Sequence, residues 1–450
     1  MGDLPAARRR RRSRGEWRGY GGARRGPRTL LLIGGAAFIG VAFFVTRHLA
    51  RESMPAEPSS LGWVLSELGV SISVDETGAA NVRMDPRLRR GISEREFFVD
   101  RRFDGDGSRV APFGDLPDVF ALMSARQYPD AVIHVAPGDY SWGDAIDPRS
   151  DVEPFDADLT VLGSGSGRTR VLQGEHDSAA AVFREQGRSL YVEGIDFVGR
   201  GIPGGVSNEH VLDVRNGRAL TLVDVIVRDA TAGDGLLAIN FETVVLERTV
   251  AQGNAQDGLS YASPGDGQAP MYVLEADVLA VDNGLNGNAA SQGSATHRAT
   301  QIVRVGGRYE RNPTNIEDTG LVSWNIDLKV ADSTVFQPHE GGPVNLRVRG
   351  DKKEGTHSTA HLISGSYDAG GVVHAHETSS NGVPVYGFLR YSPLVGMVGT
   401  LPDAFSGDLD SHVAPAREGS YVDVLSYVDG HSGSSGTDDG PVAPDGRSSP

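Results

Sequence analysis

Short runs of alternating apolar residues recur through the middle of this chain at intervals that never settle on one length. Leu190–Phe197 and Leu220–Val227 are the clearest. Val244–Glu247, Tyr272–Glu275, Ile302–Val305 and Ile326–Val330 follow, with a weaker run at His361–Ile363. Alternation of this kind predicts short strands, because successive side chains of a strand point to opposite faces. Aligning Val192, Leu222, Leu246, Leu274, Val305 and Val330 gives steps of 30, 24, 28, 31 and 25 residues. A propeller or leucine-rich array would hold its period. Wandering steps suit a parallel β-helix, whose coils keep their strands and vary their loops. The corners repeat too: Asp234-Gly235-Leu236 and Asp257-Gly258-Leu259 lie 23 residues apart, and Asn283-Gly284-Leu285 follows 26 later. Small polar residues that tolerate a left-handed backbone can stack at such corners. Glycine makes up 59 of 450 residues, close to double the usual share of about 7%, as many turns would require. A two-sheet sandwich is the competing all-β architecture, but it explains neither this spacing nor the start of the domain.

That start is specific. Phe97-Phe98-Val99-Asp100 reads as a strand and Asp104-Gly105-Asp106-Gly107-Ser108 as a polar turn. Pro112-Phe113-Gly114-Asp115-Leu116 leads into a helical stretch around Val119–Ala125, and a further strand ends in Pro137-Gly138-Asp139-Tyr140. This order resembles the opening of secreted pectate-lyase-like β-helix proteins, and the resemblance extends over roughly residues 97–340. It implies an all-β, right-handed parallel β-helix whose first coil is closed by the helical stretch. An uncapped end would expose an apolar core and an unpaired strand edge. For chemistry the resemblance is weak, because the fold hosts lyases, hydrolases, epimerases, esterases, adhesins and scaffolds. The residue set of the polygalacturonases and the Asp-Pro-His-Asp signature of the alginate epimerases are both absent from the sequence.

Charge divides the chain. Residues 1–28 carry ten Arg against Asp3 and Glu16, leaving 33 basic and 57 acidic groups for the remainder. An acidic body repels nucleic acid, so no nucleic-acid partner is expected. Thr29–Thr46 is free of charge between Arg28 and Arg47. As a helix it would be about 27 Å long, enough to cross a hydrocarbon core. The Arg-rich flank then places the N-terminus in the cytoplasm and the body outside. A signal peptide cleaved near Ala50 or Ala56 is the alternative, and it too exports the body. The expected organisation is a basic leader (1–28), one transmembrane helix (29–46), a stalk (47–95) with a short helix around Leu61–Leu68, the β-helix (96–428) and a polar disordered tail (429–450). The chain has no cysteine, so no disulfide braces it.

The densest polar stretch is 282–327, where the loop Gly284–His297 interrupts the coil pattern. Long loops on a solenoid build binding walls. A carbohydrate ligand is implied by the resemblance, and two function classes follow. One is an enzyme acting on a polysaccharide as a lyase, hydrolase or epimerase. The other is a non-catalytic scaffold or glycan-binding surface. For a lyase, Asp257, Asp282 and Asp318 on neighbouring coils can hold Ca²⁺, which wants about six to eight oxygen ligands. Arg304, Arg308 or Lys329 would serve as base, and His297 or Tyr309 as acid. For hydrolysis, Asp257 would pair with Asp282 or Asp318. Asn286, Tyr261, Tyr309 and Trp324 are candidates to contact sugar. Structurally, the same Asn and Asp residues would form hydrogen-bond ladders at coil corners, and Arg304 and Arg308 an outward solvated face. A second group, His357, His361, His374, His376 and Glu377, contains an i,i+2 histidine pair that zinc can bridge.

Overall fold

Three short strands make each coil. In one of them Leu236–Ile239 is followed by Thr243–Glu247 and Val250–Gln252, and Leu259–Ala262 opens the next. Each strand pairs in parallel with its counterpart one coil away, so the coils stack into three parallel sheets, here the first, second and third in the order just given. Parallel strands joined by such crossovers wind right-handed, and the chain has the parallel β-helix expected of it. The computed structural model describes residues 61–392 except for 75–79, 85–88, 92, 143–156, 175–178, 184–186, 200–209, 264–268, 285–291, 334–343 and further stretches beyond 349, together with 412–413. The leader, the apolar run 29–46 and the tail lie outside the described residues. No described helix is long and apolar enough to cross a membrane.

Side chains from all three sheets fill the lumen. Leu220 and Leu222 of the second sheet meet Leu236 and Ala238 of the first and Val227 of the third, all of them buried. Full burial of a Leu or Val side chain contributes about 1.5–3 kcal/mol. At one end the helix α1, Leu116–Arg126, turns Leu116, Val119, Phe120 and Met123 onto this core and closes it. Asp115 caps that helix, accepting from the Leu116 amide (2.9 Å) and from Ser141 of the first coil (3.1 Å). The helix therefore starts where the coil begins.

The strand alignment read from sequence is right over the first coils and slips later. Leu222 pairs with Val192 on one side and with Leu246 on the other, as expected. Beyond Leu246, however, the inward column runs through Glu275, Arg304, Asn325 and Leu362. Leu274 and Val303 sit one residue away and face outward, as does Val305, while Val330 belongs to the third sheet. The slip has a physical cause. In these strands both faces are buried, so apolar alternation no longer says which face is inside.

Corners keep the register instead. Between second and third sheets, Gly194, Asp224, Arg248, Asp277, Gly306 and Asp327 all take positive φ, from 48° to 68°. Inside the next corner Asn254, Asn283, Asn312 and Asn315 form a buried ladder, each amide nitrogen donating to the next amide oxygen at 2.8 to 2.9 Å. Asn283 is thus a ladder residue. The coil equivalent of Asp257-Gly258 is Gln292-Gly293, since the Gly258 amide donates to the Gln292 carbonyl at 2.8 Å. There the coils touch closely: a Cβ on Gly258 would lie 2.6 Å from the Gly293 oxygen.

Part of the segment expected as a stalk is packed against the solenoid. Leu61, Val64, Leu65 and Leu68 recur at helical spacing and form one buried stripe of a helix, Leu61–Leu68. Gly69 ends it at φ 63°, with Gly69 and Val70 amides donating back to Ser66 and Leu65 at 3.0 Å, the pairing of a left-handed helix terminus. An antiparallel hairpin, Ser71–Val74 with Ala80–Arg83, follows. Helix and hairpin cover the outer face of the second sheet over Val245, Leu274, Val303, Val305, Trp324 and Ile326. These residues form a strap across the later coils.

Candidate functional site

The residues expected to share an open cleft are divided among three environments. The first is the lumen. Glu275 accepts from Tyr261 and Ser294, both at 2.8 Å, and from Tyr309, and its carboxylate lies 3.2 Å from Arg304 Nε. Arg304 donates to Asp318 (2.9 Å), Asn325 (3.0 Å) and Ser294 (3.1 Å), and Asp318 also accepts from Ser323 at 2.6 Å. The Arg304 and Glu275 side chains are 0% exposed and Asp318 is 3% exposed. Burial would lower the Arg304 pKa, but the Asp318 and Glu275 carboxylates outweigh it and hold it above its usual value. Burial, then Glu275, pushes Tyr261 and Tyr309 well above the ordinary phenol range. Arg304, Asp318 and Tyr309 are therefore closed away from any polymer: Arg304 is neither on an outward face nor placed to act as base, and Tyr309 is not placed to act as acid. They form a satisfied ion network replacing the apolar filling of two coils, where half-satisfied groups would be costly.

The second environment is the outside of the corners and strands. Arg308 lies on the third sheet with its side chain 60% exposed, bound to Glu310 at 2.5 Å. Asp282 occupies a left-handed corner and is clasped by Arg311 at 2.7 and 2.9 Å. Asp257 accepts from the Gln292 amide at 2.8 Å beside Asp234. Desolvation first, then the Asp234 carboxylate, pushes its carboxyl well above the usual range. His297 is half-buried, its Nδ1 3.0 Å from Thr319 Oγ1. Trp324 lies under the strap, stacked on His361 at 5.7 Å between ring centroids. Asn286 and His357 lie outside the described residues.

Asp257, Asp282 and Asp318 consequently belong to three different places and do not form the Ca²⁺ site expected of them. The zinc grouping is likewise separated, with His361 on the second sheet and His374 and His376 on the first. Among the described residues no three His, Asp or Glu side chains are grouped to hold a metal.

The third environment was not apparent in the sequence. On the outer face of the second sheet, beside the strap, a trough of about 580 Å³ opens between Ser66–Gly69, Arg89–Gly91 and the strands carrying Asp158, Ser189, Tyr191, Arg218 and Thr243. Ligand sites commonly occupy about 300–1,000 Å³. Two of its three arginines are occupied. Arg90 pairs with Glu193 and lies over the Tyr191 ring at 5.6 Å. Arg218 reaches Ser189 at 3.1 Å and Asp158 at 3.5 Å. Arg89 is half-buried, and no carboxylate among the described residues pairs with it. Burial lowers its pKa to about 10, leaving it charged at neutral pH. Burial also pushes Tyr191 up to about 12. Asp158, Ser189, Tyr191 and Thr243 sit on outward strand positions, but nothing local marks them, because the wall opposite them comes from a segment far earlier in the chain.

No family model matches the sequence, and no curated protein matches it. Among solved structures, the chain is similar to pectate lyase Pel9A at 15% identity, over 72% of this chain and 82% of that one, with a TM-score of 0.39. It is also similar to the pectin methylesterase PemA from Erwinia chrysanthemi at 10% identity, over 76% of this chain and 99% of that one, with a TM-score of 0.36.

Proposed function

We propose that this chain is a membrane-tethered, extracytoplasmic β-helix protein that binds a polysaccharide in the trough on the outer face of its second sheet, as a binding module and not a catalyst. The observation that carries the reading is the trough itself: a cleft of about 580 Å³ on a rigid sheet, mixing hydroxyls, carboxylates and guanidinium groups. Within it Arg89 is partly desolvated, with no carboxylate partner among the described residues. Such a surface offers a sugar both donors and acceptors, held in place by strands that repeat every ~4.8 Å. Non-catalytic binding is favoured because Arg304, Asp318 and Tyr309 are enclosed in the lumen while Arg308 and His297 face other surfaces.

The test uses the full chain in detergent micelles on an array of neutral and uronate-containing glycans, with Ca²⁺ and with EDTA. One glycan class should be retained in both conditions, with no unsaturated uronide absorbance from the uronate members. Arg89→Gln and Arg218→Gln should each weaken binding about tenfold, as expected for loss of a hydrogen bond from a charged donor. Retention unaffected by both substitutions would put the site elsewhere, and uronide absorbance would establish catalysis.

The tether rests on the uncharged run Thr29–Thr46 between Arg28 and Arg47. Full-length protein should pellet with membranes and resist carbonate extraction, and protease added outside should release a soluble body. A mature form beginning after Ala50 or Ala56 would establish cleavage instead.

A further inference from the structure

Trp63 is the exception on an otherwise well-buried helix. Its neighbours Leu61, Val64 and Leu65 are packed against the second sheet, yet Trp63 is 54% exposed. It is not loosely placed. The indole Nε1 donates to the Tyr272 hydroxyl at 3.2 Å, bridging strap and sheet. The indole is thus held in one orientation while about half of the residue's surface remains open to solvent. Leaving such a surface in water forgoes the gain of burying it, and holding it in place removes in advance the ordering cost that a ligand would otherwise meet.

Its position connects it to the trough. Residues three and four apart share a helix face, so Trp63 lines up with Ser66 and Glu67, which form one wall of the trough. On the sheet side Tyr272 pairs in register with Thr243, which lines the opposite wall. Trp63 and Tyr272 therefore extend the trough by one coil, ~4.8 Å along the solenoid. Exposed Ser66 and Glu67 on one side and the Tyr272 hydroxyl on the other supply polar groups around the ring.

We infer that Trp63 and Tyr272 form a sugar-stacking subsite at the end of the trough, where the indole receives the C–H face of a pyranose ring from the bound chain. This rests on the polysaccharide reading above and adds a residue-level subsite to it. The C–H face of a pyranose is apolar and its rim carries hydroxyls, so it matches a flat indole ringed by hydrogen-bonding groups. An oligosaccharide long enough to reach from Arg89 to Trp63 should bind more tightly than a disaccharide.

The full chain in detergent micelles is titrated calorimetrically with cellohexaose and with hexagalacturonate, and separately with vesicles of phosphatidylcholine and phosphatidylglycerol. For whichever hexasaccharide the wild type binds, Trp63→Ala should weaken affinity about five- to tenfold, in line with the worth of an aromatic contact. Trp63→Phe should recover most of the loss, and the melting temperature should barely move because the ring is not in the core. Bound hexasaccharide should also shield Trp63 from acrylamide quenching, read as the difference between wild type and Trp63→Phe. Unchanged hexasaccharide affinity in Trp63→Ala would overturn the subsite and leave trough binding standing. Wild type that binds neither hexasaccharide would remove both. Shielding by vesicles and not by sugar would overturn the subsite in favour of a lipid contact.

Discussion

Replacing Arg304 by Met is expected to destabilise the coils around residues 271–326 by about 3–5 kcal/mol, the usual consequence of removing one partner from a buried ion pair. The substitution leaves Glu275 and Asp318 in the lumen without the guanidinium that now lies 3.2 and 2.9 Å from them. The measurement is urea unfolding followed by circular dichroism, together with hydrogen exchange over these strands. Exchange is needed because a solenoid unfolds coil by coil and a single midpoint can hide a local loss. The triple change Glu275→Gln, Arg304→Met, Asp318→Asn should recover much of the loss, because no uncompensated charge remains. A variant as stable as wild type at neutral pH would mean that the network contributes nothing to holding these coils.

A larger loss is expected from Leu222→Asp. Leu222 is buried in the lumen between Val192 and Leu246. The lumen around that rung is lined by Leu220, Val227, Leu236 and Ala238, and none of these can do for an introduced carboxylate what Arg304 does for Glu275. A buried unpaired carboxylate costs several kcal/mol beyond the lost burial of the leucine. Because each coil is stabilised by its neighbours, the loss should spread to the strands at 189–193 and 243–247. Loss of β circular dichroism, or exchange of amides in all three strands, is the expected readout. By contrast Arg248→Ala, which removes an exposed pair with Asp224, should shift stability by no more than about 1 kcal/mol. Equal effects of the two changes would mean that the second sheet's inward face is not the core.

Several features of the fold are legible in the residues alone. The alternation in Leu190–Phe197 and Leu220–Val227 predicts strands, and residues 189–193, 196–198, 219–223 and 226–228 are strands. The cap is legible because Asp115 and the following apolar residues carry a local helix-start signal. Asn and Asp at the corners are legible because only a few residue types tolerate a left-handed backbone there.

The placement of the chemistry is different. Glu275 and Arg304 read as polar residues on strands, and a lone strand turns polar residues outward. Their inward position is decided by register, which Leu274 and Val303 obscure by being apolar on the face that the strap covers. Their partners arrive from other sheets: Tyr261 and Asp318 from the first and Tyr309 from the third. The trough likewise needs Ser66 and Arg89 brought against Ser189 and Arg218.

Local elements are written into the residues themselves: short strands, left-handed corners, an end cap and an apolar helix waiting for a surface. Those follow from backbone preferences and from the period of side chains within a few residues. Tertiary structure alone decided which strand face looks inward, that a charged network replaces apolar filling in the later coils, and where a cleft opens. These depend on contacts between residues tens to hundreds of positions apart, where the energy of a buried charge or an exposed indole is set by groups that no local pattern can identify.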